Sequence, residues 1–383
     1  AFVVGVANVH GNEPSGADAL MQVLHDLAAG QDEQTLERLD ELVLVMSPVQ
    51  NPDGRDVFSR PNAMGFDLNR DWFAMTQPET PPRIELFRRY PAVAGLDLSG
   101  QLMIVTGANS GIGFHTARAL ASAGARVIFA CRDGTTGADA VARAISQHPG
   151  ALAELGELDL GSRQSIRDFA GCIDADSVDV LVCNAGVFGG RYEEVDRALE
   201  RTVGVCHVGH FLLGQALLPK LLANGGGRVV MVSSESHRTP RRLDFDRLPL
   251  TADQYSGLGA YGQALFRSYG QAKLCNVLFA SELQRRYGDE GITACSLHPG
   301  TMMATNIARS SRLASIAMTL MSPFTKDVTC GASTSIVCAT HPHTAELAGR
   351  YFSDCQPKPA SAEAQDVAVA ERLWTQTERW LVV

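Results

Sequence analysis

The sequence predicts an α/β protein built as a doubly wound parallel sheet, preceded by a shorter, incomplete α/β segment. Three observations carry that expectation. Short apolar runs alternate with helical patterns from Leu102 to Leu297. A glycine-rich turn joins the first of these runs to the first helix. Composition shifts near residue 96. Such an alternation is what a parallel sheet with helices on both faces requires.

The 383-residue chain is long enough for two domains. Its net charge of −9 is unevenly spread: residues 1–96 hold 7 Arg, no Lys and 14 Asp plus Glu, and so carry −7 of it. Pro78, Pro81, Pro82 and Pro91 lead up to the change, which marks a boundary between segments 1–96 and 97–383. No basic face suggests nucleic acid, so that class is set aside. Phe211–Leu222 is the nearest approach to a membrane span and is broken by Gly214, Pro219 and Lys220, so no transmembrane segment is expected. All nine cysteines lie beyond residue 130, without CxxC spacing. They read as reduced thiols of a cytoplasmic protein, several of them buried in core strands.

In the first segment the pattern predicts a strand over Phe2–Asn8, a helix over Gly16–Ala29 and a strand over Glu41–Ser47. His10-Gly11-Asn12-Glu13 follows the first strand, and imidazole plus carboxylate is a reasonable pair of zinc ligands. Asn51-Pro52-Asp53-Gly54-Arg55 comes next, then Arg60 to Arg70. These motifs, in this order, resemble the zinc carboxypeptidases. The resemblance implies metal ligands at His10 and Glu13, an oxyanion-stabilising Arg60, and Asn69 with Arg70 on a substrate carboxylate. That family's third ligand is a histidine in Asp-Leu-His, where this chain has Asp97-Leu98-Ser99. A catalytic zinc needs three protein ligands. The expectation is therefore a vestigial site in an incomplete α/β carboxypeptidase-like fragment, without zinc or peptidase activity.

In the second segment Leu102–Val105 reads as the first strand and Phe114–Ala123 as the helix after it, joined by Thr106-Gly107-Ala108-Asn109-Ser110-Gly111-Ile112-Gly113. Glycines there let the backbone approach a pyrophosphate, while the helix N-terminus offers N–H groups and the positive end of its dipole. Further strands are expected over Arg126–Ala130, Leu152–Leu158, Val178–Cys183, Arg228–Val232 and Thr293–Leu297, with a helix over Tyr269–Tyr287. Asp159-Leu160, Asn184-Ala185-Gly186, Ser233-Ser234 and Pro299-Gly300 follow four of those strands. In a Rossmann-type sheet, ligands gather at those carboxyl ends.

Tyr269 and Lys273 share a helix face at i and i+4. A phenol titrating near pH ~10 needs a nearby cation to act as acid or base at neutral pH. The chain has only four lysines, and one falls here. Ala260-Tyr261-Gly262-Gln263-Ala264 nearly repeats the Tyr269 motif, but Leu265 stands where the lysine would be, so Tyr269 is preferred.

These residues, in this order, resemble the short-chain dehydrogenase/reductase family, with particular likeness to its WW-domain-containing and retinol dehydrogenase members; no WW domain is present. The resemblance implies that Tyr269 exchanges a proton with the substrate, that Lys273 holds the nicotinamide ribose and lowers the tyrosine pKa, and that Ser234 bonds the reacting oxygen. It also implies cofactor contacts at Gly107, Asn109, Ser110, Gly111, Ile112, Gly113, Asp159, Leu160, Asn184, Ala185, Gly186, Pro299, Gly300 and Thr301. Where the family carries asparagine in Asn-His-x-Gly-His-Phe, this chain has Cys206, a weak hydrogen-bonding group. At the end of the second strand stands Arg132, which suits a 2′-phosphate and favours NADP over NAD. The apolar, Met-rich stretch from Met302 to Phe324 suits a lipophilic alcohol/carbonyl substrate. The alternatives are zinc peptidase activity or a nucleotide-binding module whose chemistry has lapsed; pairing through long helices, as in relatives, implies a homodimer.

Overall fold

The computed structural model describes residues 2–6, 21–23, 25, 43–47, 96–189, 191–196, 198–255, 260–300 and 328–382. The chain divides into two compact units, Ala1–Asp97 and Leu98–Val383. In the first, β1 (Phe2–Val6) and β2 (Val43–Ser47) pair in parallel, Phe2 opposite Val43, with residues 21–23 and 25 helical in between. Two parallel strands linked through a helix form one βαβ unit. His10, Glu13, Arg60, Asn69 and Arg70 lie outside the described residues.

In the second unit, β3 (Leu102–Thr106) leads into α1 (Gly111–Ser122), β4 (Arg126–Cys131) into α2 (Gly134–Gln147), and β5 (Leu152–Glu157) into α3 (Arg163–Gly171). After β6 (Val180–Cys183) comes a small antiparallel pair, β7 (Glu194–Val195) and β8 (Leu199–Glu200). A turn of α-helix, Arg201–Val203, and a π-helical turn, Gly204–Val208, then feed α4 (Gly209–Leu222). β9 (Arg228–Val232), α5 (Ala260–Tyr287), β10 (Thr293–His298), α6 (Val328–Thr340), β11 (Tyr351–Ser353), β12 (Gln356–Lys358) and α7 (Val367–Val382) complete the described elements.

The sheet order is β12-β11-β10-β9-β6-β3-β4-β5, parallel except for β12 on β11. Side chains alternate across it, as the strand period demands. Met103, Val105, Val127 and Phe129 pack with Phe114, Leu120, Ala140 and Cys338 on one face. Leu102, Ile104 and Ile128 pack with Phe169, Phe211, Leu217 and Phe279 on the other. Burial on both faces explains why the central strands read as continuous apolar runs.

One feature departs from the sequence expectation. The helical stretch Arg201–Gly225 is, by length and composition, apolar enough to cross a membrane. Pro219 and Lys220 fall in its last turn and so do not interrupt it, and Phe211, Leu213, Leu217 and Leu221 are buried in the protein's own core. At the far end of the chain, α7 packs onto α4 and α5. Trp374 lies 4.8 Å from Phe211 edge-on and 5.9 Å from Phe279 stacked, with the Arg286 guanidinium 4.5 Å over its ring. Arg163 donates to the last carbonyls of α7, Trp380 O at 2.6 Å and Leu381 O at 2.7 Å.

Candidate active site

The glycine turn begins where β3 ends. Gly107 donates to Ala130 O at 2.8 Å and adopts φ +65°, while Gly111 adopts φ +59°. Left-handed backbone of this kind costs glycine nothing. A Cβ on Gly113 would stand 2.4 Å from both Asn184 Nδ2 and Gly107 O, so only glycine allows α1 to sit this close. Ser110, the N-cap of α1, makes no side-chain cap bond, and no acidic residue occupies the first turn. The first N–H groups and the helix dipole therefore remain available to an anion.

Thr106 ties this turn to β6. Its Oγ1 accepts from Asn184 N and Ala185 N, both at 2.9 Å, and Asn184 Nδ2 donates to Thr106 O at 2.8 Å. His210 Nε2 lies 2.9 Å from the same hydroxyl, while its Nδ1 donates to Cys206 O at 3.0 Å. Burial pushes His210 down to about 4, so it is a neutral strut at physiological pH.

A cleft of about 560 Å³ runs along the carboxyl ends of β3, β4, β5, β6, β9 and β10, within the size range of small-molecule sites. Gly107, Asn109, Ser110, Gly111, Ile112, Gly113, Arg132, Asp159, Leu160, Asn184, Ala185, Gly186, Ser234, Tyr269, Lys273, Pro299 and Gly300 all line it. Thr301 lies outside the described residues, as do Met302 to Phe324. Gly111 shows open space where a Cβ would be, and the turn offers unpaired donors, so these residues fit a dinucleotide pyrophosphate. Arg132 is exposed at the end of β4 and makes no hydrogen bond among the described residues. Its neighbour Asp133 is occupied as the N-cap of α2, accepting from Thr136 N at 2.7 Å.

Tyr269 and Lys273 come together as their spacing implied, with Lys273 Nζ 5.5 Å from the phenol ring centroid. The side chain of Lys273 is buried and donates to Val232 O at 2.9 Å, and Ser233 Oγ donates to Lys273 O at 2.6 Å. Three effects act on the pKa of the Tyr269 phenol. Burial raises it well above the usual value and nearby Cys206 adds to the rise, while the Ser234 hydroxyl opposes them. Burial lowers Lys273. Cys206 sits in the π-turn with its thiol turned to Val187, accepting from Val187 N at 3.4 Å, and burial pushes that thiol up. What reaches His210 is the backbone carbonyl of residue 206, an atom indifferent to the side chain there.

Several lining residues had no role in the sequence reading. Glu235 and His298 line the cleft beside Ser234 and Pro299. Glu235 is held by Tyr351 Oη at 3.0 Å and Arg238 Nε at 2.8 Å. Phe188 lies edge-on to Tyr269 at 5.1 Å and 5.4 Å from Phe266, which is 63% exposed. The adjacency of Glu235 and His298 to the motifs was a usable signal; nothing in the sequence joined Phe188 to Phe266.

A family model described as short chain dehydrogenase matches residues 101–243, and one described as zinc carboxypeptidase matches residues 2–90. WW domain-containing oxidoreductase of Homo sapiens is 39% identical over 321 residues, covering 80% of this chain and 76% of that protein. Retinol dehydrogenase 12 of Homo sapiens is 38% identical over 281 residues, 73% of this chain and 85% of that protein. Among solved structures, an uncharacterized protein from Mycobacterium Paratuberculosis superposes with a TM-score of 0.60 at 32% identity, over 76% of this chain and 97% of that one. With this sheet order, this cleft and these relatives, the chain belongs to the short-chain dehydrogenase family of oxidoreductases.

Proposed function

We propose that this oxidoreductase interconverts an alcohol and a carbonyl on a lipophilic, retinoid- or steroid-sized substrate, with NADP as its hydride partner. One observation carries the reading: a single cleft gathers the glycine turn, Ser234, and Tyr269 with Lys273 one helical turn apart. NADP, when bound, supplies or takes up the hydride. Because burial raises its pKa, the phenol of Tyr269 stays protonated at neutral pH and serves as the proton donor to a carbonyl oxygen. Ser234, which lines the cleft beside Tyr269 and whose hydroxyl now donates to Ser236 Oγ at 3.2 Å, would turn to donate to that oxygen. The ammonium of Lys273, itself buried, attracts the phenolate left behind.

The exposed guanidinium of Arg132 supports the choice of NADP, and the engagement of Asp133 in a helix cap removes its competitor for a 2′-hydroxyl. The aromatic shelf of Phe188 and Phe266 beside Tyr269 supports an apolar substrate, as does the name of the retinol dehydrogenase relative. The test is turnover of NADPH and NADH against retinal, steroid ketones and aromatic aldehydes, for wild type and Arg132→Ala. Losing a charge-assisted contact costs about 1.5–3 kcal/mol, so NADPH affinity should fall about 10- to 150-fold while NADH affinity holds. An equal loss for both cofactors contradicts the assignment.

A further inference from the structure

Among the described residues two carboxylates are buried and unused by the proposed reaction: Glu282, paired with Arg285 and Arg286, and Glu200. Glu200 is 3% exposed at the entry to the π-turn. Each of its oxygens takes one backbone N–H and one hydroxyl. Oε1 accepts from Thr202 N at 2.9 Å and Tyr255 Oη at 3.1 Å, and Oε2 accepts from Val203 N at 3.2 Å and Ser268 Oγ at 2.6 Å. Thr202, Tyr255 and Ser268 are themselves buried. A buried charge persists only when its lone pairs are filled in this way.

The placement of those partners is informative. Tyr255 precedes the first copy and Ser268 falls between the two copies, immediately before Tyr269, so one carboxylate brackets the first copy and abuts the second. The helix α5 carries both copies, Tyr261 and Tyr269, eight residues apart. A slide by one copy would move the helix about 12 Å and bring Leu265 to the place of Lys273. The residue before Tyr261 is Ala260, which has no hydroxyl to offer. Only the second copy presents a group that the carboxylate can recognise.

We infer that Glu200 is a positioning residue: by accepting the Ser268 hydroxyl it holds α5 in the register that sets Tyr269, rather than Tyr261, in the cleft. This rests on the reading of Tyr269 as proton donor. The same carboxylate caps the helical turn leading into the π-turn, so the clamp also joins the helix of Tyr269 and Lys273 to the segment bearing Cys206.

The test is steady-state carbonyl reduction and NADPH binding for full-length Ser268→Ala, Glu200→Gln and their double variant, beside Tyr269→Phe, Tyr261→Phe and Arg267→Ala. Misplacement by about an ångström can cost ~10²-fold in rate. Ser268→Ala should lose about 10-fold or more in kcat, with KM and the NADPH Kd within about twofold. The double variant should lose no more than the worse single one, because both remove the same contact. Arg267→Ala removes only a surface pair with Asp244 at 2.7 Å and should keep its kcat. If Glu200→Gln does not fold, Ser268→Ala decides. A folded Ser268→Ala at wild-type kcat, with Tyr269→Phe inactive, overturns the clamp and leaves the site assignment standing. Full activity in Tyr269→Phe, with loss in Tyr261→Phe, overturns both.

Discussion

At Gly111 an alanine methyl would point into the cleft, with no protein atom within 4 Å. The fold should lose little. The residue sits at φ +59°, where a side chain costs about 1 kcal/mol, or about 2–4 °C in Tm for a domain of this size. Cofactor binding should lose much more, since a pyrophosphate must enter that space to reach the N–H groups of α1. Holding it off by even an ångström weakens charge-assisted hydrogen bonds worth about 1.5–3 kcal/mol each, about 10- to 150-fold in Kd. Gly113→Ala inverts the pattern. Its methyl would meet Asn184 Nδ2 and Gly107 O at 2.4 Å, and Asn184 is held against Thr106 O at 2.8 Å. Overpacking of that kind costs roughly 1–3 kcal/mol or more of stability. Thermal melts paired with NADPH fluorescence titrations separate the two. Wild-type NADPH affinity in Gly111→Ala would refute the cradle.

The docking of α7 predicts that Trp374→Ala loses about 3–5 kcal/mol, or roughly 6–20 °C in Tm, and that the uncovered α4 and α5 face self-associates in light scattering. An unchanged melt would show that α7 contributes nothing. Two buried histidines predict acid sensitivity: burial lowers His207 to about 3 and His210 to about 4. Both stay neutral in the fold while the unfolded chain takes up protons below pH ~6.5, so their contribution is complete above that pH and is lost as pH falls. Between pH 6.5 and 5 each should withdraw on the order of 2 kcal/mol in urea unfolding. A flat profile over that window contradicts their burial.

The parallel sheet was legible because its central strands are buried on both faces and so carry continuous apolar runs; Arg228–Val232 has the same limits in sequence and structure. Strand ends elsewhere shift by a residue or two, as frayed ends do. The edge strands β11 and β12, three residues each, are too short for any period to register. The cleft lining was readable where residues follow strand ends in sequence, as at Asn184 and Pro299. Contacts made across long separations were not. Glu200 meets Ser268 over 68 positions, and Thr106 meets His210 over 104. The start of α5 at Ala260 was missed because the duplicated motif reads as an insertion before the helix, whereas the backbone simply continues the helix through it. The rise in the phenol's pKa was hidden for a related reason: spacing brings Lys273 near, but the desolvation that outweighs it comes from packing around the ring.

The most direct measurement is single-turnover carbonyl reduction by Tyr269→Phe, read beside its NADPH affinity. Removing one phenolic oxygen leaves the glycine turn, Arg132 and Lys273 in place, so NADPH should bind as in wild type. The chemical step should slow by about 10²–10⁴-fold, the contribution of a positioned proton donor. Turnover at the wild-type rate with NADPH bound would mean that the proton comes from another group and that the cleft's chemistry has been assigned to the wrong residue.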